Sequence, residues 1–97
     1  WDNEAMKLSW DEAKRQATLD ERGLDFASAA ELFAGDELTG EDVRFAYGER
    51  RFISFGFVRT RLCAVVWTPR DGGRHIISMR KANEREKKWF QIETGPG

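Results

Sequence analysis

The chain is predicted to fold as an α+β domain: a small antiparallel sheet packed with two N-terminal helices and a C-terminal helix. Three observations predict it. Helix-periodic segments sit at the two ends, in residues 11–33 and 83–91, and none interrupts residues 51–80. That central stretch divides into three runs rich in β-branched and aromatic residues. The turns between those runs are short, which makes consecutive strands antiparallel neighbours.

Lys7 to Trp10 reads as a short strand. The first helix is expected to start near Asp11, a good N-cap, with Ser9 and Glu12 at capping-box spacing. Ala13 and Ala17 continue an apolar stripe from Trp10 toward Leu24, and Gly23 ends the helix. Asp25 caps a second helix from Phe26 to Phe33, whose Phe26, Ala29, Ala30 and Phe33 form a core stripe. Residues 36–49 are acidic and polar, a long loop with one short strand at Val43-Arg44-Phe45. Strands follow at Arg51–Val58, Arg61–Thr68 and His75–Arg80, joined by Arg59-Thr60 and by a turn over residues 69–73. The last helix covers Asn83 to Gln91.

At 97 residues the chain is expected to be a single domain, residues 6–92, with flexible ends at 1–5 and 93–97 and Met6 as a natural start. With 40% hydrophobic and 34% charged residues it is globular rather than disordered. No apolar run approaches the roughly 18–20 residues of a membrane span, and the N-terminus lacks a signal-peptide pattern. The lone Cys63 fits a reducing compartment, so a cytoplasmic protein is expected. The net charge of -1 hides an asymmetry. Residues 1–49 hold 5 basic and 13 acidic side chains (5 - 13 = -8), and residues 50–97 hold 11 and 4 (11 - 4 = +7). Either the halves pair their charges on the surface, or the basic half receives an anionic ligand.

The segment from His75 to Phe90 carries the most chemistry. A β-branched strand ends in Arg80 and Lys81 and runs into a charged helix, a scaffold suited to holding a phosphate. Alternation puts His75, Ile77 and Met79 on one face, with Ile77 and Met79 as the core side, and Ile76, Ser78 and Arg80 on the other. Arg61 approaches Arg80 or His75 across the ladder, depending on register. Lys81, Arg85 and Lys88 are spaced as one basic stripe, partly paired by Glu84; such stripes are usually only solvated. His75 and Cys63 are too few for a metal site, and no phosphate loop or hydrolase triad is present, so neither metal nor cofactor is expected. Cleavage of RNA by its own 2′-hydroxyl suits an inventory of Arg, Lys, Glu and one His, because it needs only a base, an acid and a phosphate-binding cation.

Trp10-Asp11-Glu12-Ala13-Lys14, Arg22-Gly23-Leu24-Asp25-Phe26, Tyr47-Gly48-Glu49-Arg50-Arg51 and Ile76-Ile77-Ser78-Met79-Arg80-Lys81-Ala82 with Arg85-Glu86 resemble the BrnT family, in order, over residues 7–90. The resemblance implies a RelE-like fold and a metal-independent ribonuclease toxin of a type II toxin–antitoxin pair that inhibits translation. It implies neutralisation by a BrnA-like antitoxin in a 2:2 heterotetramer, with DNA bound only through the antitoxin. Carried over, it points to Arg80 as the phosphate-binding cation, Arg61 as a second cation, and His75 and Glu49 for proton transfer. Lys14, Lys81, Arg85 and Lys88 are then RNA contacts, with Trp10 either stacking a base or lying in the core. The sequence departs from the family pattern in three places. Glu21-Arg22-Gly23 stands where Lys-His-Gly is usual, His75 where an arginine is usual, and no tyrosine follows near Phe90. The alternative reading is a catalytically weakened module of the same fold that acts mainly in its antitoxin complex.

Overall fold

A computed structural model describes residues 6–44 and 46–95. Five strands form one sheet: β1 (Leu8–Trp10), β2 (Leu38–Glu41), β3 (Phe52–Val58), β4 (Arg61–Arg70) and β5 (Gly73–Lys81), in the order β1-β5-β4-β3-β2. Three helices accompany it: α1 (Glu12–Arg22), α2 (Ala29–Ala34) and α3 (Glu84–Thr94). The α+β class holds, but the sheet is mixed rather than antiparallel. β1 pairs in parallel with β5, Ser9 opposite His75, while every other pair is antiparallel. Turn length sets only the direction of consecutive strands, so the partner of a strand remote in sequence stays open.

The helix ends follow local chemistry. The Asp11 carboxylate accepts from the Lys14 N–H, and Gly23, at φ +70°, closes α1. Ser9, which shared capping-box spacing with Glu12, instead bonds His75. The expected stripe on α1 is corrected: Ala13 and Ala17 are exposed, and α1 buries no residue. Its sheet side carries Arg15, paired with Asp25, while Arg22 donates to the Met79 carbonyl. The second helix opens as a 3-10 turn at Phe26–Ser28 before α2. The tighter turn shifts the phase, so Phe26, Ala29 and Leu32 are buried and Ala30 is exposed. The short strand lies at Leu38–Glu41, paired with β3, and not at Val43-Arg44; Phe45 falls outside the described residues. Pro69 and Arg70 extend β4, leaving Asp71-Gly72 as a two-residue turn with both φ values positive. Pro69 is tolerated because β3 stops pairing at Trp67, so no neighbour there needs its missing N–H.

The two faces are covered unequally. Phe26, Ala29 and Leu32 pack on Cys63, Val65, Trp67, Ile76 and Met79 of one face. On the other, Phe90 of α3 packs with Phe55, Leu62, Ala64 and Ala82, and this covers only the end of the sheet nearest the β3–β4 turn. A β-bulge decides what stands on the rest of that face. Val66 pairs with Ser78 but Trp67 pairs with Ile76, leaving Ile77 as the extra residue. The inserted residue overturns simple alternation. Ile76 and Met79, not Ile77 and Met79, are the buried pair, and His75 joins Ser78 and Arg80 on the opposite face.

Candidate functional site

Three rungs of the β4–β5 ladder stand on the half-covered face: Ala64–Arg80, Val66–Ser78 and Thr68–His75. Adjacent rungs are two β4 residues apart, about 7 Å along the strand, so Arg80 and His75 flank the Ser78 rung at about that distance each. The arrangement depends on the bulge. Without it, His75 would lie among the core side chains.

At one end His75 sits half-buried with the Ser9 hydroxyl 2.9 Å from Nδ1, which leaves Nε2 to act on a ligand. Burial first, then the positive charge of Arg70, pushes the imidazole below its ordinary value. Glu49 and Asp11 pull the other way, and Lys14 adds to the depression. The imidazole is therefore neutral near pH 7, the form that accepts a proton. Glu49 is held by Arg51 at 3.3 Å and Arg70 at 3.7 Å, so it joins this cluster rather than standing alone. The Arg51 guanidinium lies over the Tyr47 ring at 4.0 Å.

At the other end Arg80 holds Glu86 through two hydrogen bonds, Nη1–Oε1 at 2.8 Å and Nη2–Oε2 at 2.9 Å. The pair raises the arginine and lowers the carboxyl from their ordinary values. Glu86 is fixed in turn by the capping box of α3, where Asn83 N–H donates to Oε1 and Glu86 N–H donates to the Asn83 side chain. The Arg80 side chain remains 42% exposed.

Other residues singled out from sequence lie elsewhere. Arg61 is at the β3–β4 end of the sheet, where it borders one cavity with Phe90 and another with Leu24 and Cys63; the ladder brings it to neither Arg80 nor His75. Lys81, opposite Cys63, faces the side that α2 covers, so it is a strand residue and not the first member of a helical stripe with Arg85 and Lys88. Arg85 and Lys88 are exposed on α3 without ion pairs among the described residues, and Glu84 pairs with Lys87 instead. Trp10 packs against the core, with Nε1 donating to Glu12 at 3.1 Å, so the core reading of this residue holds. Arg74 is structural: it stacks on Trp67 and Phe33 and pairs with Glu37.

Sequence reasoning missed Ser9, Arg51 and Arg70. The signal for Ser9 was its place opposite His75, which needs the parallel pairing to be known. For Arg51 and Arg70 it was their alternation with Ile53 and Thr68 on the open face. A cavity of about 590 Å³ is lined by Phe57, Arg61, Leu62 and Phe90 at the far end of the sheet and includes neither His75 nor Arg80. A polyanionic strand needs an exposed, charged surface more than an enclosed cavity. Among the described residues no group of three or more His, Cys, Asp or Glu is placed to hold a metal ion, and no helix is long and apolar enough to cross a membrane.

The family model for BrnT, the ribonuclease toxin of type II toxin–antitoxin systems, matches residues 10–86. The chain belongs to the BrnT family. No curated protein matches it. Membership makes it a ribonuclease toxin by family, with an antitoxin partner and an RNA target. The matched segment contains both ends of the half-covered face, from Lys14 through Glu49 and His75 to Arg80 and Glu86.

Proposed function

We propose that this BrnT chain cleaves RNA on the half-covered face by attack of a 2′-hydroxyl on the adjacent phosphate, without a metal ion. One observation carries the reading: the β5 bulge puts a neutral imidazole and a half-exposed guanidinium on the two sides of the Ser78 rung. A phosphate seated over that rung lies within reach of both. His75 Nε2 takes the 2′-hydroxyl proton, and Ser9 holds the ring through Nδ1. Arg80 stabilises the charge that grows on the phosphorane oxygens. Arg51 and Arg70, paired with Glu49, add positive charge on the His75 side; as the new bond forms, the phosphorus–5′-oxygen bond breaks and the leaving oxygen takes a proton from water. Lys14, Arg85 and Lys88 supply flanking phosphate contacts. Arg61, at the β3–β4 end of the sheet, and Lys81, on the other face, have no part in the chemical step.

The fold is RelE-like in this reading, and cleavage inhibits translation in the cytoplasm. A BrnA-like antitoxin neutralises the toxin in a 2:2 complex and alone contacts DNA. The test is RNA cleavage by antitoxin-free, folded protein in EDTA. Wild type is expected to cleave, and Arg80→Ala to lose about 100-fold or more while keeping its circular dichroism spectrum. Absence of EDTA-resistant cleavage by the folded wild type would refute the proposal.

A further inference from the structure

Among the described residues, four arginines hold a carboxylate through two nitrogens. Arg15 on Asp25, Arg44 on Asp42 and Arg50 on Glu41 all use Nε together with Nη2. Arg80 is different: it holds Glu86 end-on, through Nη1 and Nη2, and its Nη1 also reaches the Lys81 carbonyl at 3.3 Å. The Nε–H and the adjacent Nη2–H of Arg80 therefore carry no hydrogen bond among the described residues. Those two parallel donors are the edge of a guanidinium that matches two oxygens of a phosphate.

We infer that Glu86 is the positioning residue for Arg80, locking the guanidinium end-on so that its side edge is presented, already oriented, to a phosphate on the open sheet. The inference rests on the ribonuclease reading above. A free arginine side chain loses about 2 kcal/mol of rotamer freedom when it is fixed. Here folding has already fixed it, so the loss does not recur when the transition state forms. Glu86 can serve this way because it is itself immobile. One oxygen accepts from the Asn83 backbone N–H, a bond that does not need the Asn83 side chain, and Glu86 lies in the first turn of α3. It is a partner that Arg80 does not exchange for solvent.

The two duties of Glu86 can be separated. Glutamine is equally able to complete a capping box, so Glu86→Gln keeps the helix cap and removes the charge that holds Arg80. Asn83→Ala does the reverse. Cleavage of a single-stranded RNA oligonucleotide in EDTA is measured for both, with melting temperatures. Glu86→Gln is expected to fold normally and lose about 10- to 100-fold in kcat, with KM within about 3-fold. Asn83→Ala is expected to melt earlier and keep kcat within about 3-fold. Glu86→Asp, which keeps the charge on a shorter arm, is expected to fall between wild type and Glu86→Gln, and it replaces Glu86→Gln should that variant not fold. A Glu86→Gln enzyme with unchanged kcat overturns the inference, and so does one with raised kcat, which would make Glu86 a competitor for the phosphate. If Arg80→Ala itself cleaves normally, the underlying reading fails instead, and the two failures are told apart.

Discussion

At the residue scale, His75 shows how placement sets chemistry. Its ordinary value of 6.5 is lowered by burial and by Arg70, so the folded chain binds the proton less readily than the unfolded chain does. Stability therefore falls as pH drops through about 6.5, the unfolded value, and levels off below the folded one. Activity should show an acid limb with an apparent pKa below 6.5, because only the neutral ring accepts the 2′-hydroxyl proton. His75→Ala is expected to lose about 100-fold in kcat/KM and to abolish that limb. A pH–rate profile on both proteins checks this; an unchanged limb in His75→Ala would assign the titration to another group. Cys63 contributes nothing comparable, since burial raises its thiol and keeps it protonated. Of the residues in the proposed site, Arg80 and His75 stand out in the sequence by residue type and strand position, and Glu49 only through the family resemblance. The partners that tune them were not. Ser9 and Arg70 reach His75 only through pairings that local patterns do not encode.

At the element scale, the sheet depends on two irregular features. The bulge at Ile77 breaks the period-two pattern, and no residue type in His75-Ile76-Ile77-Ser78 marks which isoleucine is the extra one. Four of the five strands and the limits of α1 were readable from periodicity and caps, since these are properties of neighbours in sequence. The parallel β1–β5 pair and the β2–β3 pair were not, because short polar strands such as Leu38-Thr39-Gly40-Glu41 carry little apolar signal. Gly73 is the joint that admits β1. The Arg74 N–H donates to the Lys7 carbonyl at 2.8 Å, and a Cβ on Gly73 would collide with that carbonyl and with the Lys7 Cβ. Backbone cannot yield as a flexible side chain can, so Gly73→Ala is expected to displace β1 and cost about 1–3 kcal/mol. Because Ser9 would leave His75 with it, the same variant should lose part of its activity. Denaturant unfolding alongside cleavage checks both effects; a stable variant with normal activity would separate β1 from the site.

At the scale of the whole molecule, the charge asymmetry proves to be mostly structural. Among the described residues, four ion pairs cross between the acidic and basic halves: Arg50–Glu41, Arg51–Glu49, Arg70–Glu49 and Arg74–Glu37. They neutralise much of the basic half. RNA affinity must then come from a few well-placed phosphate contacts and not from bulk charge. In the proposed reading those contacts lie on the face that the helices leave partly open. The 3-10 turn and α2 close one side through Phe26, Ala29 and Leu32, while α3, anchored by the buried Phe90, closes only part of the other. That unequal cover leaves His75 and Arg80 on one surface, with Arg61 away from them at the β3–β4 end. The most direct test is a double-mutant cycle of His75→Ala and Arg80→Ala, read as RNA cleavage in EDTA, with Arg61→Ala as the control at the far end of the sheet. Residues that act on one transition state are grossly non-additive. Each single variant is expected to lose about 100-fold or more, the double variant little beyond either, and Arg61→Ala to cleave normally. Full cleavage by both single variants, or loss confined to Arg61→Ala, would contradict the account.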